Sequence, residues 1–482
     1  MNFKLIARII GFLLILIGLF MLTGIPFSIY YQSNDIPALL ISGLGTALIG
    51  SLLWFAIKTE SHEEISKRDG YFIVTLGWIA CSLFGTLPFL IHGSIPNLTD
   101  AFFETMSGFT TTGSTILSDI ESIPYGLLFW RSMTHWIGGM GIILLSLAIL
   151  PILGIGGMQL FQAEVAGPSK EKIHPRVTET AKRLWAIYVL LTGLQVIFLL
   201  FGGMNLFDAL CHSFGTLATG GFSTKNASVA FYNSPFIEYV IIIFMFLAGT
   251  NFTLHYIAIK GKPFNYFKDS EFRFYVVFIF FIVGATTLYL DIHNQQSIET
   301  SFRDSAFSII SILSSTGFTT VDYESWAKFF PHVFIVLLLM GACAGSTSGG
   351  VKIIRYEILI KNSLLELKKL IHPQAVIPVR HNRKAVSSEI ISKIAAFVML
   401  YLMIFIICSI LLTIVGLDIT SSTGAVAACL ANIGPGLGTT GPATNYSSVP
   451  AIGKWILSIA MLLGRLELFT VLILFSPSFW RK

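Results

Sequence analysis

Long apolar runs, separated by short polar loops, recur along the whole chain. Two stand first, at residues 5–30 and 37–58. Eight more follow in pairs, and between the members of each pair lie a shorter helical segment and a cluster of Thr and Gly. The paired runs are 71–92 with 124–153, 184–202 with 234–260, 272–291 with 330–360, and 390–416 with 449–476. Because a spanning helix needs about 20 apolar residues, the pattern predicts ten spanning helices and four half-length re-entrant helices.

This pairing divides the chain into four repeats. We expect an N-terminal two-helix extension at 1–60, pore repeats at 69–153, 184–261, 272–360 and 390–477, and cytoplasmic connectors at 154–183 and 361–389. Four equivalent helix, half-helix, helix units in one chain imply fourfold pseudosymmetry about an axis, and an axis along the membrane normal can hold a pore. The predicted fold class is therefore an all-α polytopic membrane protein with one central pore.

Composition excludes a soluble protein. The chain is 54% hydrophobic and 12% charged, about half of the roughly 25% charged residues of soluble domains, so lipid must cover much of its surface. Its net charge of +5 includes no basic cluster interleaved with aromatic residues, which argues against nucleic acid. Most cations lie in the loops 58–69, 154–184, 258–273 and 352–394. The positive-inside rule makes these loops and both termini cytoplasmic, so the re-entrant helices enter from outside.

Each repeat carries the same spacing between a helix-starting residue and a glycine. Thirteen residues separate the two in four segments, which run from Asp100 to Gly113, from Asp208 to Gly221, from Asp304 to Gly317 and from Thr423 to Gly436. Such a helix directs its partially negative C-terminus to the axis, and glycine permits the turn that follows. Four turns of exposed carbonyls form an oxygen ring that can replace the hydration shell of K⁺. The repeats predict a pathway for a small monovalent cation, and K⁺ fits best.

Two features interrupt the later runs. Residues 342–350 are rich in Gly and Ser, which form helices poorly. Arg465 lies within the final run, where a charge is unfavourable and usually faces a cavity or a partner. From the sequence alone it either faces a cavity or is a structural arginine paired with helix-end carbonyls, while Glu467 points to a different helical face. His135 is likewise either a titrating group or a buried, hydrogen-bonded one.

Other function classes lack their signatures. Thr and Gly clusters also occur where membrane helices pack together, but packing alone does not explain four copies in register. A carrier of organic solutes would have inverted repeats, whereas these are parallel. An intramembrane enzyme would need a set such as HExxH or paired Asp residues in spans, and the sequence has none, so we predict no catalytic residues. The glycines at 434–438 imitate a phosphate loop but follow no strand, so no cofactor is expected.

Several motifs resemble those of a known family. They are TTTG at 110–113, FWRS at 129–132, WIGGMGI at 136–142, ATGGFST at 218–224, STGFTT at 315–320, NIGPGLG at 432–438 and MLLGRLELFT at 461–470. On these motifs, which are spread over nearly the whole chain, the sequence resembles the TrkH/Ktr/HKT superfamily of K⁺ transporters. The extra N-terminal helix pair makes the sequence more similar to the TrkH branch, because the Ktr subunits are shorter. The resemblance implies K⁺ uptake across a bacterial inner membrane.

The resemblance also implies roles for particular residues. The filter that binds K⁺ would comprise Thr111, Thr112, Gly113, Thr219, Gly220, Gly221, Ser315, Thr316, Gly317, Gly434, Pro435 and Gly436. The gate would comprise the intramembrane loop residues Gly345, Ser346, Thr347, Ser348, Gly349 and Gly350 with a pore-facing Arg465. The implied partners are a second copy of the chain in a homodimer, membrane lipid, and a cytoplasmic ring of nucleotide-binding regulatory subunits. The sequence leaves open whether flux is channel-like or coupled to H⁺ or Na⁺. It also leaves open which nucleotide the regulatory subunits bind.

Overall fold

The computed structural model is almost entirely helical. It describes residues 1–57, 66–141, 177–294, 297–374 and 377–481. The end of the predicted first repeat, 142–153, and most of the predicted connector 154–183 lie outside the described residues. The described part of the connector 361–389 contains a small antiparallel hairpin, in which β1 (Arg380–His381) pairs with β2 (Lys384–Ala385).

The described helices follow the predicted order. Up to residue 141 they are α1 (Phe3–Leu22), α2 (Ile25–Tyr30), α3 (Ile36–Ala56), α4 (Lys67–Gly85), α5 (Leu87–His92), α6 (Leu98–Phe109) and α7 (Tyr125–Gly139). Then come α8 (Val177–Phe201), α9 (Leu206–Leu217), α10 (Pro235–Ala248), α11 (Phe252–Ile259), α12 (Asn265–Lys268), α13 (Ser270–Asn294) and α14 (Ile298–Leu313). The last are α15 (Phe330–Leu338), α16 (Ile353–Ile371), α17 (Ser388–Val415), α18 (Ile419–Ala431), α19 (Ala451–Arg465), α20 (Glu467–Leu472) and α21 (Pro477–Trp480).

Six described helical segments have the length and apolar composition of a membrane span. They are Phe3–Tyr30, Ile36–Ala56, Lys67–His92, Ala181–Phe201, Ser270–His293 and Ser388–Val415. Their outer faces are apolar as well: on α13, Val277, Phe280 and Phe281 are 68%, 69% and 70% exposed. Soluble proteins rarely expose apolar bands of this kind. Lipid therefore covers these faces, and the chain is a multi-pass membrane protein.

Two further apolar segments are sharply bent. The axes of α10 and α11 meet at 101°, and that of α19 meets the axis of the segment Glu467–Phe475 at 108°. The sequence predicts one span in each of the runs 234–260 and 449–476, and the structure adds a sharp bend to each run that this prediction does not include. Asn251 starts a new helix by accepting a hydrogen bond from Thr253 N, and Glu467 takes a φ of 52°. Hydropathy does not reveal these bends because the apolar composition continues across them.

The N-terminal helix pair packs through a close glycine contact and is joined to α7. A Cβ at Gly11 of α1 would lie 2.7 Å from Gly50 O of α3. Small residues permit such close approach between membrane helices. Asp35, just before α3, accepts a hydrogen bond from Leu127 N of α7 at 2.8 Å. Glycine packing therefore holds the two helices of the extension together, and a hydrogen bond joins the extension to the first repeat.

Candidate functional site

The short helices α6, α9, α14 and α18 all end in the same backbone turn. A residue with a φ of 53–55° follows the last turn of each helix: Thr111, Thr219, Ser315 and Asn432. The next amide donates to the carbonyl five residues back, at 2.8 Å for Thr112 to Ser107, Gly220 to Gly215 and Thr316 to Ser311, and at 2.9 Å for Ile433 to Ala428. This closure satisfies carbonyls at the helix end. Since residues other than glycine seldom take a positive φ, its fourfold recurrence indicates one shared local design.

A glycine completes each turn and abuts the next turn. The φ angles are 84° at Gly113, 76° at Gly221, 81° at Gly317 and 98° at Gly434. A Cβ on each would lie less than 3.0 Å from a carbonyl oxygen, which belongs to Gly220 for Gly113, Thr316 for Gly221, Ile433 for Gly317 and Thr112 for Gly434. Each of these carbonyls precedes the glycine of another turn, and the fourth contact returns to the first turn. The four turns thus form a closed ring, the glycine ring, with no room for a side chain.

Gly434 is the fourth member of the glycine ring, and the predicted Gly436 lies outside it. Gly436 N donates to Thr440 O at 2.7 Å, and a Cβ there would face Gly424 of α18. The prediction erred because it took Thr423 as a helix start, whereas Thr423 lies inside α18. Fourteen residues separate helix cap from left-handed residue in three turns: Asn97 from Thr111, Asn205 from Thr219, and Asp418 from Asn432.

The aspartates of the other repeats lie within their helices, too. The caps of α6, α9 and α14 are Asn97, Asn205 and Ser297, and each accepts a hydrogen bond from a first-turn amide. Asp100 and Asp208 stand in the first turn, where a negative charge favours the helix dipole. The helix caps therefore precede the predicted starts by three residues in α6 and α9 and by seven in α14, although a short helix is present in each case.

Buried hydroxyl and amide groups fix the turns. Thr110 and Thr112 share a hydrogen bond between their Oγ1 atoms at 2.8 Å, and Ser314 and Thr316 repeat this pair at 2.7 Å. Asn432 Nδ2 donates to Thr112 Oγ1 at 3.0 Å, which joins the fourth turn to the first. All of these side chains are buried. Buried polar groups that are hydrogen-bonded to one another hold a rigid geometry.

A buried ion pair lies next to the first two turns. Arg131 Nε lies 2.7 Å from Glu104 Oε1, and the two side chains are 2% and 1% exposed. Glu104 also accepts from Ile116 N at 2.9 Å, while Arg131 Nη1 donates to Ser223 O at 2.9 Å. The guanidinium lies 3.6 Å from the centroid of the Phe222 ring. The pair therefore links the segments that follow the first and second turns.

Sequence reasoning did not assign this pair. The signal was present, because Glu104 and Arg131 are both charges within apolar or re-entrant segments, and such charges usually have a partner. His135 lies beside them: its Nδ1 is 2.7 Å from Gly108 O, and its ring stacks on Phe222 with centroids 4.0 Å apart. These contacts fit the interpretation of His135 as a buried, hydrogen-bonded residue.

Residues 342–350 form a loop between α15 and α16, at the position where the sequence predicts a break. Gly349 N donates to Ser315 Oγ at 2.6 Å, and Thr347 Oγ1 donates to Leu217 O at 2.9 Å. Gly345 O accepts from Phe252 N at 3.0 Å. The loop therefore contacts the third turn, the end of α9 and the start of α11.

The remaining loop residues are held within the loop or against α18. Ser346 and Ser348 share a hydrogen bond between their Oγ atoms at 2.8 Å, and Lys352 Nζ donates to Ser348 O. Gly350 takes a φ of 69°. A Cβ on Gly349 would lie within 3.0 Å of Ala431 O at the end of α18. The loop thus fills the space next to three of the four turns.

Arg465 contacts the first turn as well as the loop. Its Nη1 donates to Thr111 Oγ1 at 3.0 Å and to Thr347 O at 2.9 Å, and its Nη2 donates to Gly138 O at 2.6 Å and Gly139 O at 3.0 Å. The guanidinium therefore joins the first turn, the loop and the end of α7. It is paired with helix-end carbonyls, as the structural interpretation expects, and it also touches both predicted elements of the pathway.

Glu467 faces another partner. Its carboxylate lies 2.7 Å from Arg355 Nη2 of α16, and the Arg355 guanidinium lies 3.7 Å from the centroid of the Phe397 ring. The expectation that Glu467 and Arg465 point in different directions therefore holds. This second pair connects the helix after the loop to the bend between α19 and α20.

Comparisons with known proteins match the whole chain. The model of the family described as "TrkH: Cation transport protein" matches residues 35–482. The chain is 42% identical over 488 residues to the Trk system potassium uptake protein TrkH of Escherichia coli strain K12, with 100% of both chains covered. It is 38% identical over 485 residues to the protein of the same name from Halomonas elongata, again with 100% of both covered.

The fold matches a solved structure as well. The crystal structure of the potassium transporter TrkH from Vibrio parahaemolyticus aligns with a TM-score of 0.90 at 38% sequence identity, and the match covers 100% of each chain. Similarity therefore extends over the extension, the turns and the loop together, and is not confined to one motif.

Proposed function

The chain belongs to the TrkH family of cation transport proteins, and from this premise we propose that it takes up K⁺ across a bacterial inner membrane. Family membership confirms the superfamily predicted from the motifs and the choice of a transporter over an enzyme. Relatives that match it along their full length are named potassium uptake proteins. The observation that carries the proposal is the glycine ring, in which four turns approach one another through carbonyl oxygens.

In this proposal the glycine ring is the K⁺ filter. The carbonyls of Thr112, Gly220, Thr316 and Ile433 already lie against the neighbouring glycines, so a cation on the common axis would meet oxygen from every turn. Carbonyl oxygens of this kind replace the hydration shell of K⁺, and the C-terminal ends of four helices add partial negative charge. Thr111, Gly113, Thr219, Gly221, Ser315 and Gly317 complete three turns, and Asn432 and Gly434 complete the fourth, with Pro435 beside it.

The loop 342–350 and Arg465 form the proposed gate. Loop atoms contact Leu217, Ser315 and the end of α18, while Arg465 bonds Thr111 of the first turn and Thr347 of the loop. A barrier built this way meets all four helix ends next to the filter. The positive charge of Arg465 adds electrostatic repulsion against an entering cation, and opening requires these contacts to break.

We also propose the finer architecture that the sequence predicts. It has ten spans and four re-entrant helices in fourfold pseudosymmetric repeats, with both termini in the cytoplasm. The name "Trk system" borne by the relatives supports the proposal that other components act with this chain. We propose a homodimer and a cytoplasmic ring of nucleotide-binding subunits that contacts the connectors.

Flux measurement in proteoliposomes tests the function. The purified chain is reconstituted, and ⁸⁶Rb⁺ uptake and the reversal potential are recorded under separate K⁺, Na⁺ and pH gradients. We expect uptake that K⁺ blocks by competition and a reversal potential that follows the K⁺ gradient. Dependence on the Na⁺ or pH gradient would indicate coupling. Absence of K⁺-sensitive uptake, while Gly317→Ala and the unmodified chain behave alike, contradicts the proposal.

A further inference from the structure

Glu271 is a buried carboxylate that reaches the gate loop from the start of a spanning helix. It is the second residue of α13 and is 5% exposed, and its Oε1 accepts a hydrogen bond from Ala344 N at 2.6 Å. Placing a carboxylate in such a setting is unfavourable unless it is bonded. Ala344 lies directly before Gly345, so this bond holds the entry to the proposed gate.

The residues just before Glu271 are bonded to the hairpin at 380–385. Ser270 N donates to Asn382 Oδ1 at 2.7 Å, and Asn382 Nδ2 donates to Asp269 Oδ2 at 2.8 Å. Ser270 Oγ also lies 3.0 Å from His381 Nδ1. The hairpin is thus hydrogen-bonded to the start of α13, at the residue next to Glu271.

The same hairpin contacts the helix that follows the gate loop. His381 Nδ1 lies 3.2 Å from Glu357 Oε2 of α16. The loop 342–350 therefore lies between two elements, α13 and α16, that are both bonded to one small hairpin in the connector. We therefore expect a displacement of the hairpin to change the position of Glu271 relative to Ala344.

We propose that Glu271 is a positioning residue that latches the loop 342–350 in its closed arrangement and couples it to the hairpin 380–385. The inference rests on the proposed role of this loop as a gate. Packed side chains and hydrogen-bond networks with two arrangements can carry coupling between a surface element and a distant barrier. Here the network is short: hairpin, start of α13, Glu271 and the entry of the loop.

Glu271→Gln tests the latch, and Glu389→Gln is its matched control. Glu389 is also the second residue of a spanning helix that begins with Ser, but its side chain is 75% exposed and pairs with Lys393. At alkaline pH, where the carboxyl is ionised, we expect Glu271→Gln to raise ⁸⁶Rb⁺ flux through the reconstituted chain by about fivefold, because hydrogen bonds to ionised acceptors are roughly twice as strong as neutral ones. Glu389→Gln leaves the flux unchanged.

A second readout separates a latch from damage to the fold. Cys343, next to Ala344, is buried, so its modification by N-ethylmaleimide, followed by mass spectrometry, reports loop opening. We expect faster modification in Glu271→Gln with an unchanged melting temperature. Higher flux with intact stability is not the result of misfolding. Flux and Cys343 modification equal to those of Glu389→Gln overturn the inference.

Asn382→Gly tests the coupling to the hairpin. Asn382 takes a φ of 47°, so glycine keeps the backbone while the amide contacts are lost. We expect higher flux, and less than additive effects in the double variant with Glu271→Gln, because coupled residues depart from additivity. Full additivity overturns the coupling. If the chain carries K⁺-sensitive flux and Arg465→Gly raises it while Glu271→Gln does not, the latch fails and the proposed function stands.

Discussion

Arg465 and Thr347 come from different predicted repeats, and a single hydrogen bond of 2.9 Å joins the guanidinium of Arg465 to the backbone carbonyl of Thr347. The same Nη1 atom also donates to Thr111 Oγ1 in the glycine ring. One side chain therefore connects the proposed filter with the proposed gate. We therefore expect a change at Arg465 to act on both the charge in the proposed pathway and the position of the loop.

Replacing Arg465 by glycine should raise cation flux. Repulsion between two unit charges about 4 Å apart is about 4 kcal/mol at an effective dielectric of 20, so we expect at least about a tenfold rise in ⁸⁶Rb⁺ uptake. Arg465→Lys keeps the charge but loses the planar guanidinium that reaches several acceptors. Its flux should lie between that of the unmodified chain and that of Arg465→Gly. Equal flux in all three chains contradicts a gating role and favours the structural interpretation.

The glycine ring should not accept a side chain at Gly317. A Cβ there would overlap Ile433 O, and the φ of 81° disfavours alanine as well. Overpacking of this kind is worth about 1–3 kcal/mol, which distorts the ring without necessarily unfolding the chain. We expect Gly317→Ala to lower K⁺ uptake by about tenfold or more. Gly284→Ala is the control, because a Cβ at Gly284 meets nothing within 4 Å, and it should transport normally.

The register of the fourth turn can be tested by ion selectivity. Gly434 lies in the ring against Thr112 O, whereas Gly436 lies against α18. We expect Gly434→Ala to reduce the preference for K⁺ over Na⁺ in reversal-potential measurements. Gly436→Ala should lower the melting temperature through its contact with Gly424 but keep the ion preference. If Gly436→Ala instead reduces the ion preference and Gly434→Ala only lowers the melting temperature, then Gly436 belongs to the filter and Gly434 does not.

The sequence predicted the fourth turn only approximately, for a physical reason. Spacing from an aspartate located three turns well, but the fourth helix has its cap at Asp418, and Thr423 within it is not equivalent. Backbone φ values and the approach of one turn to another identify the ring, and neither property is visible in composition. The long apolar runs likewise predict span candidates but not the bends near Asn251 and Glu467, where capping and local conformation decide.

Arg131 and Glu104 should be far more sensitive to single than to paired replacement. Arg131→Met leaves the Glu104 carboxylate buried without its partner, which typically destabilises by about 3–5 kcal/mol. The double variant with Glu104→Gln should recover much of that loss. Lys369→Met is the control, since its partner Glu366 is exposed and surface pairs contribute about 0–1 kcal/mol. Melting temperatures in detergent report the stability of Arg131→Met, the double variant and Lys369→Met. An equal loss of stability in the single and the double variant of the ion pair contradicts the pairing.

The hairpin should make stability depend on pH through His381. Burial lowers the pKa of His381, but the hydrogen bond and charge of Glu357, with Asp269 and Glu271 nearby, outweigh it, and the pKa is raised. The folded chain therefore favours the protonated ring. Its stabilising contribution is fully present below the ordinary pKa of about 6.5 and is lost as the pH rises through the higher folded value. The melting temperature of His381→Gln should fall below that of the unmodified chain at acidic pH and converge with it at alkaline pH. A difference that is constant across this range shows that the contact with Glu357 does not depend on protonation.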